Sequence, residues 1–167
     1  ADALLLKGRN LGEIKRKTLE IISYAPGMEE FFESLDRKRY RTGILSQGVG
    51  FIAQEICRRF GLDFYLADEL EVKCGQFTGK VTEGMKNRDK VEGLKTVCSR
   101  YYPIKPKNIC HVGDHANDNG VFEIVEVPVF MDNGNRDPEL EKARTAAKGN
   151  VIDNLKNLYK YIKPKNE

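Results

Sequence analysis

The sequence predicts an α/β fold built on a parallel sheet with helices on its faces. Three observations carry that prediction. Short apolar runs of strand type alternate with stretches of helical period along the chain. The runs "GILS", "CHVG" and "PVFM" end at Ser46, before Asp114 and before Asp132, so three expected strands finish at polar residues. Loops bearing glycine or proline punctuate the changeovers.

Taken in order, Asn10 followed by Glu13 has the form of a capping box, and Leu11, Ile14, Thr18 and Ile22 then recur at helical spacing up to the break at "APG". A second helix is expected with Phe31, Phe32 and Leu35 on its inner face. "YRTGILS" reads as the first strand, running into the loop "QGVG", where glycine frees the backbone. Ile52, Ile56 and Phe60 mark the next helix, with Gly61 as its C-cap.

"FYLADELEVKCGQFTGKV" reads as a strand passing into a hairpin with Gly75 in its turn. From Asp89 onward, Val91, Leu94, Cys98 and Tyr101 line a helix that gives way to the loop "YYPIKPKN". "ICHVG" is expected as a buried strand, then an acidic loop and a helix through Phe122 and Ile124, with "PVFMDN" as the last strand. Asp137 and Pro138 open another helix as cap and first residue, and Ile152, Leu155, Leu158 and Ile162 make the final one. There is no internal repeat, low-complexity tract or dividing linker.

Composition narrows the function. The 167 residues, 40% of them hydrophobic, suffice for one ordinary core. Basic residues number 28 and acidic ones 25, both signs interspersed, so the net charge of +3 gives no footprint for nucleic acid. The clusters "KGRN", "KRK" and "RKRYR" read as solvated surface. Cys57, Cys74, Cys98 and Cys110 have no C-x-x-C spacing, which points to free, mostly buried thiols in a reducing compartment. No apolar run approaches the roughly eighteen residues of a membrane span, and "ADALLLKG" is too short for a signal sequence. A soluble, cytoplasmic protein with no membrane partner is expected.

In a parallel α/β sheet, ligands sit beyond the carboxyl ends of the strands, so Ser46, Asp114 and Asp132 are expected to face one crevice. Ser46, Gln47 and Gly48 lead into a helix and offer a hydroxyl, loose N–H groups and a helix dipole to a phosphate. Judged alone, the segment fits a serine capping its own helix equally well. Asp114 and Asp118 would suit Mg2+, which takes one or two carboxylates with phosphate and water; loop aspartates also commonly make turns and caps. Lys90 opens the preceding helix, where it could fold back and offset carboxylate charge or simply stand exposed. His111 and His115, four apart at a strand-to-loop junction, do not share a face, which argues against zinc.

In order, "GILSQG", "LADELEVKCGQFTGKV", Lys90 in "RDKVEGLKTV" and "HVGDHAND" resemble the phosphoserine phosphatase branch of the haloacid dehalogenase superfamily. The likeness covers roughly residues 26–163, and "APGMEEFFESL" looks like the helix leading from that family's cap into its core. The resemblance implies a Rossmann-like core over residues 26–167 and a remnant of a helical cap over residues 1–25. It implies a Mg2+-dependent hydrolase of small phosphomonoesters acting through an aspartyl-phosphate intermediate. Ser46 would bind phosphate with Gln47 and Gly48 beside it, and Lys90 would be the phosphate-side and catalytic lysine. Asp114 would bind the metal, Asp118 would support it through hydrogen bonds, and Asn117 would face the substrate.

The chain departs from that pattern in its first motif, D-x-D-x-[TS], since no two aspartates here are separated by one residue and Asp2 in "ADALLL" has no partner. In this fold that motif's strand lies between those ending at Ser46 and Asp114, and its absence would leave a gap of about 10 Å. The expectation is a longer polypeptide, or a second chain, that supplies the strand and its nucleophile. Gln47 and His115 stand where the family usually has glycine, each placing a larger side chain beside the phosphate seat. A non-catalytic relative that keeps the metal and phosphate residues for binding or assembly is the alternative reading.

Overall fold

The computed structural model describes residues 3–84, 89–100 and 103–162. Asp2 and Tyr101, both named above, lie outside them. In chain order, a 3-10 turn at Ala3–Leu6 precedes α1 (Leu11–Ile21), α2 (Met28–Ser34), β1 (Gly43–Val49), α3 (Gly50–Phe60), β2 (Phe64–Lys73) and β3 (Gln76–Glu83). Then come α4 (Lys90–Arg100), β4 (Cys110–Gly113), α5 (Asn119–Ile124), β5 (Val127–Met131), α6 (Pro138–Ala146), β6 (Val151–Ile152) and α7 (Tyr159–Ile162). The fold is α/β with parallel strands flanked by helices.

The chain divides into two compact units, one made of Ala1–Tyr24 with Leu35–Arg88 and the other of Ala25–Ser34 with Asp89–Glu167. In the first, β1 pairs in parallel with β2, and β2 pairs antiparallel with β3. In the second, β4, β5 and β6 run parallel. Among the described residues the strands therefore form two three-stranded sheets, and no ladder joins β1 to β4.

Local chemistry explains most elements of the first unit. Asn10 caps α1 by accepting the Glu13 N–H at 3.0 Å. Gly61 ends α3 in the left-handed region at φ 62°, its N–H returning to the Cys57 carbonyl. Lys73 pairs with Gln76 across a two-residue turn in which Cys74 (φ 50°) and Gly75 (φ 76°) are both left-handed, the twist a tight hairpin favours. The fully buried stripe of α3 is Gly50, Ala53, Cys57 and Phe60, and Ile52 and Ile56, which mark the helix in the sequence, flank it half-buried. One basic cluster is partly structural: the Arg37 guanidinium donates to the Phe60 carbonyl at 2.6 Å and the Gly61 carbonyl at 3.2 Å, satisfying the last turn of α3.

In the second unit, Phe122, Phe130, Leu140, Ala143 and Ala147 form a buried cluster under α5 and α6. Asp137 caps α6 by accepting the Glu139 N–H at 2.9 Å, with Pro138 as first residue. Three expectations need correction. β1 does not stop at Ser46 but continues through an irregularity to Val49. "PVFMDN" is not the last strand, because Ile152 pairs with Met131 in β6 rather than opening a helix. The segment that follows is a 3-10 turn, Leu155–Leu158, and a single turn of α7, since Asn154 accepts the Lys156 N–H and restarts the chain there. Helical spacing of Ile152 with Leu155 and Leu158 cannot separate these outcomes, because buried residues in tight turns recur at nearly the same interval.

Candidate functional site

The acidic loop after β4 is organised around one buried carboxylate. Asp118 has no solvent exposure, and its Oδ1 accepts from Lys90 Nζ at 2.7 Å and from His111 Nε2 at 2.6 Å. Asp89 Oδ1 accepts the Glu92 N–H at 2.8 Å and caps α4, which fixes Lys90 at the first position of that helix. Both donors are themselves nearly enclosed, the Lys90 side chain being 11% exposed and that of His111 13%. Gly113 supplies the space: a Cβ there would lie 2.3 Å from Asp118 Cγ and 2.6 Å from its Oδ2. Gly113 and His111, two apart on β4, thus present a gap and a donor to the same carboxylate.

Burial alone would raise the Asp118 carboxyl, but the hydrogen bonds and charges of His111 and Lys90 outweigh it and hold the group below the usual carboxylate range. Asp118 Oδ2 is buried without a hydrogen-bond partner among the described residues. Asp114, which follows β4 directly, is exposed. Asn117 is also exposed, and its N–H donates to His115 Nδ1 at 3.3 Å. His115 sits in extended backbone at φ −137°, so this turn does not require glycine at that position.

Ser46, Gln47 and Gly48 belong to the first unit. Ser46 is half-buried, and its Oγ accepts the Gly48 N–H at 2.9 Å, while Gln47 and Gly48 are exposed. The α3 N-cap is Val49 and makes no side-chain cap hydrogen bond, so Ser46 ties a local turn and does not cap the helix. The same unit has an open cavity of about 200 Å³ walled by Leu11, Val49, Phe51, Glu69 and Phe77, and none of the expected site residues lines it.

The structure brings Lys90 and Asp118 together directly. Asp132 is engaged elsewhere: it accepts the Gly134 N–H at 2.8 Å and pairs with Arg144 at 3.1 Å and Arg136 at 3.4 Å. Its carboxyl lies below the usual range, first through the Gly134 hydrogen bond and then through the arginines. Sequence reasoning passed over His111, having weighed it only as a zinc ligand. Its signal was the pair His111-x-Gly113 on a strand, which period two places on one face.

The chemistry of the donor set fits Mg2+ and does not fit zinc. Among the described residues no three His, Cys, Asp or Glu side chains stand close enough to cage an ion. Mg2+ needs no such cage, because it commonly keeps water and substrate phosphate in its shell beside one or two carboxylates. Asp114 offers such a carboxylate at the sheet's exposed end.

Comparison with known proteins gives the context. The model of the haloacid dehalogenase-like hydrolases matches residues 2–123. The chain belongs to the haloacid dehalogenase-like hydrolases. Within that family, it is 28% identical over 119 residues to the phosphoserine phosphatase of Archaeoglobus fulgidus, covering 71% of this chain and 34% of that protein. It is 29% identical over 134 residues to the phosphoserine phosphatase of Idiomarina loihiensis, covering 77% and 60% respectively. The chain thus spans 34% and 60% of the length of these relatives. A substrate-bound phosphoserine phosphatase complex superposes with a TM-score of 0.79 at 28% identity, over 96% of this chain and 74% of that one.

Proposed function

We propose that this haloacid dehalogenase-like chain forms the metal- and phosphate-binding part of a Mg2+-dependent phosphomonoester hydrolase of the phosphoserine phosphatase type. The observation that carries the proposal is the buried Asp118 carboxylate holding Lys90, with Asp114 exposed four positions earlier in the same "GDHAND" loop. A lysine held by this loop and an exposed carboxylate in it supply the two kinds of positive charge, ammonium and metal, that suit a phosphoryl group.

In this reading Asp114 holds Mg2+, which when bound supplies positive charge against the phosphoryl oxygens. Lys90 Nζ spends one N–H on Asp118 and presents its others to phosphate. Ser46 Oγ accepts the Gly48 N–H, which orients the hydroxyl so that its own hydrogen can go to a phosphoryl oxygen. Gln47 and Gly48 follow that hydroxyl in the chain, and Asn117 faces the substrate.

An aspartyl-phosphate step needs a nucleophilic carboxylate from a D-x-D strand. No such pair occurs in the 167 residues, so further polypeptide or a second chain provides it. Its oxygen forms the bond to phosphorus as the ester P–O bond breaks, and water then releases phosphate. Residues 1–25 are the remnant of a cap, a reading supported by Leu4, Leu5 and Ile21, which stand 70%, 77% and 82% exposed. Residues 26–167 are the core. The substrate is a small phosphorylated metabolite such as phosphoserine. The free cysteines fit a cytoplasmic setting, and among the described residues no helix is long and apolar enough to cross a membrane.

The test is phosphate release from phosphoserine and p-nitrophenyl phosphate by the product of the complete gene, with Mg2+ and with EDTA. Turnover that disappears in EDTA is expected. A D-x-D-bearing product with no Mg2+-dependent turnover refutes the proposal.

A further inference from the structure

Asp118 has one lysine partner already, and a carboxylate seated by Lys90 alone would satisfy the site proposed above. His111 is a second donor with no task in that scheme. We propose that His111 is a positioning residue: by taking a share of Asp118 Oδ1, it keeps the carboxylate from closing on Lys90 and so leaves the ammonium turned toward a phosphoryl ligand.

The geometry is specific. Oδ1 has two lone pairs, and the contacts at 2.7 Å and 2.6 Å occupy both. An acceptor-only carboxylate can receive from an imidazole only through an N–H, so Nε2 carries the proton in this contact. Oδ2 has no hydrogen-bond partner among the described residues and lies over Gly113, where the missing side chain leaves it room. The carboxylate therefore meets Lys90 through one oxygen, at an atom His111 already holds. Without the His111 donor no described residue anchors Oδ1 from the strand side, and rotation of the carboxylate would offer both oxygens to Lys90. The ammonium would then give two N–H groups to Asp118 in place of one, at the expense of a ligand.

His111 is itself held in place. Its ring lies 5.6 Å from that of Phe122, which is wholly buried, and it projects from β4 on the face that bears Gly113. A purely packing role would depend on this apolar contact, whereas a positioning role depends on the N–H. The two can be separated by substitution.

The proposal rests on the phosphatase reading for its effect on turnover but not for its effect on Lys90. The complete protein and its His111→Leu, His111→Phe and His111→Gln variants would be compared. Leucine and phenylalanine keep the contact with Phe122 and lack the donor, and using both protects the test against one of them misfolding. Glutamine restores an N–H. The first measurement is the rate of Lys90 acetylation by acetic anhydride, quantified by mass spectrometry, which requires no turnover. The second is kcat and KM for Mg2+-dependent phosphate release from phosphoserine.

Lys90 labelling should slow several-fold in the leucine and phenylalanine variants and recover in the glutamine variant. In parallel kcat should fall roughly 10–100-fold and recover, the usual scale for a residue that orients a functional group. Parent-like labelling of Lys90 in the leucine and phenylalanine variants would overturn the proposal, as would an equal loss in all three variants. If the parent protein shows no turnover, the phosphatase reading fails by itself and the labelling still decides the role of His111.

Discussion

Replacing Gly113 by alanine tests the Asp118 seat through one methyl group. Gly113 is not among the glycines at positive φ, so alanine brings no backbone strain and its effect is one of space. The added Cβ would stand 2.3 Å from Asp118 Cγ, 2.6 Å from Oδ2 and 2.7 Å from Cβ. Carbon atoms pack best at about 3.5–4.0 Å, so the carboxylate has to retreat by about 1 Å or more. Lys90 and His111 now sit 2.7 and 2.6 Å from Oδ1, and a shift of that size takes both contacts outside hydrogen-bond range. Overpacking costs about 1–3 kcal/mol, and a hydrogen bond to a buried charge adds about 1.5–3 kcal/mol. With both hydrogen bonds lost the total is roughly 4–9 kcal/mol, which for a chain of this size lowers Tm by about 8–36 °C. Chemical denaturation followed by circular dichroism measures the loss, and the same substitution in an Asp118→Ala background isolates its cause. There the methyl has no carboxylate to displace, so most of the cost should vanish. A loss under about 1 kcal/mol, or the same loss in both backgrounds, would show that Gly113 is not what accommodates Asp118.

Three further outcomes follow from the same geometry. Asp114→Asn should weaken Mg2+ binding and leave turnover near background, whereas Ser46→Ala, which removes one hydroxyl donor, should cost roughly 10–100-fold; isothermal titration and phosphate release check the pair. Asp118, with its carboxyl held below the usual range, contributes stability that is fully present above the unfolded value of about 3.9 and is lost as pH falls through the folded value. Urea midpoints should therefore drop as pH is lowered from about 5 toward 3, and the drop should be shallower in Asp118→Asn. Burial pushes the Cys110 thiol up to about 12 and the Cys57 thiol up to about 11, while Cys74 lies exposed in the hairpin turn. Iodoacetamide at pH 8 should label Cys74 first and leave Cys110 unmodified until the chain is denatured.

The exposed Cys74 also shows where composition misleads, since four unpaired cysteines suggest mostly buried thiols. Its place in the chain is set by the turn, which needs two left-handed residues and presents the first to solvent. Ser46 shows the converse. Its neighbourhood in sequence fits both a phosphate seat and a helix cap, and the structure removes the second because the helix starts only at Gly50.

Local signals in the sequence alone determined the caps at Asn10, Gly61 and Asp137, the hairpin at Gly75 and the alternation that makes the fold α/β. Each depends on residues within a few positions of one another, whose backbone preferences hold wherever the segment lies. The motif order in "GILSQG" and "HVGDHAND" likewise pointed to the family. Tertiary structure decided what happens at Asp118, where Lys90 from 28 residues upstream and His111 from the neighbouring strand share one oxygen over the space left by Gly113. It also gave Asp132 to two arginines and Ile152 to a strand. Those outcomes turn on which buried charge finds which partner, and that is a property of packing in space which short-range sequence patterns do not encode.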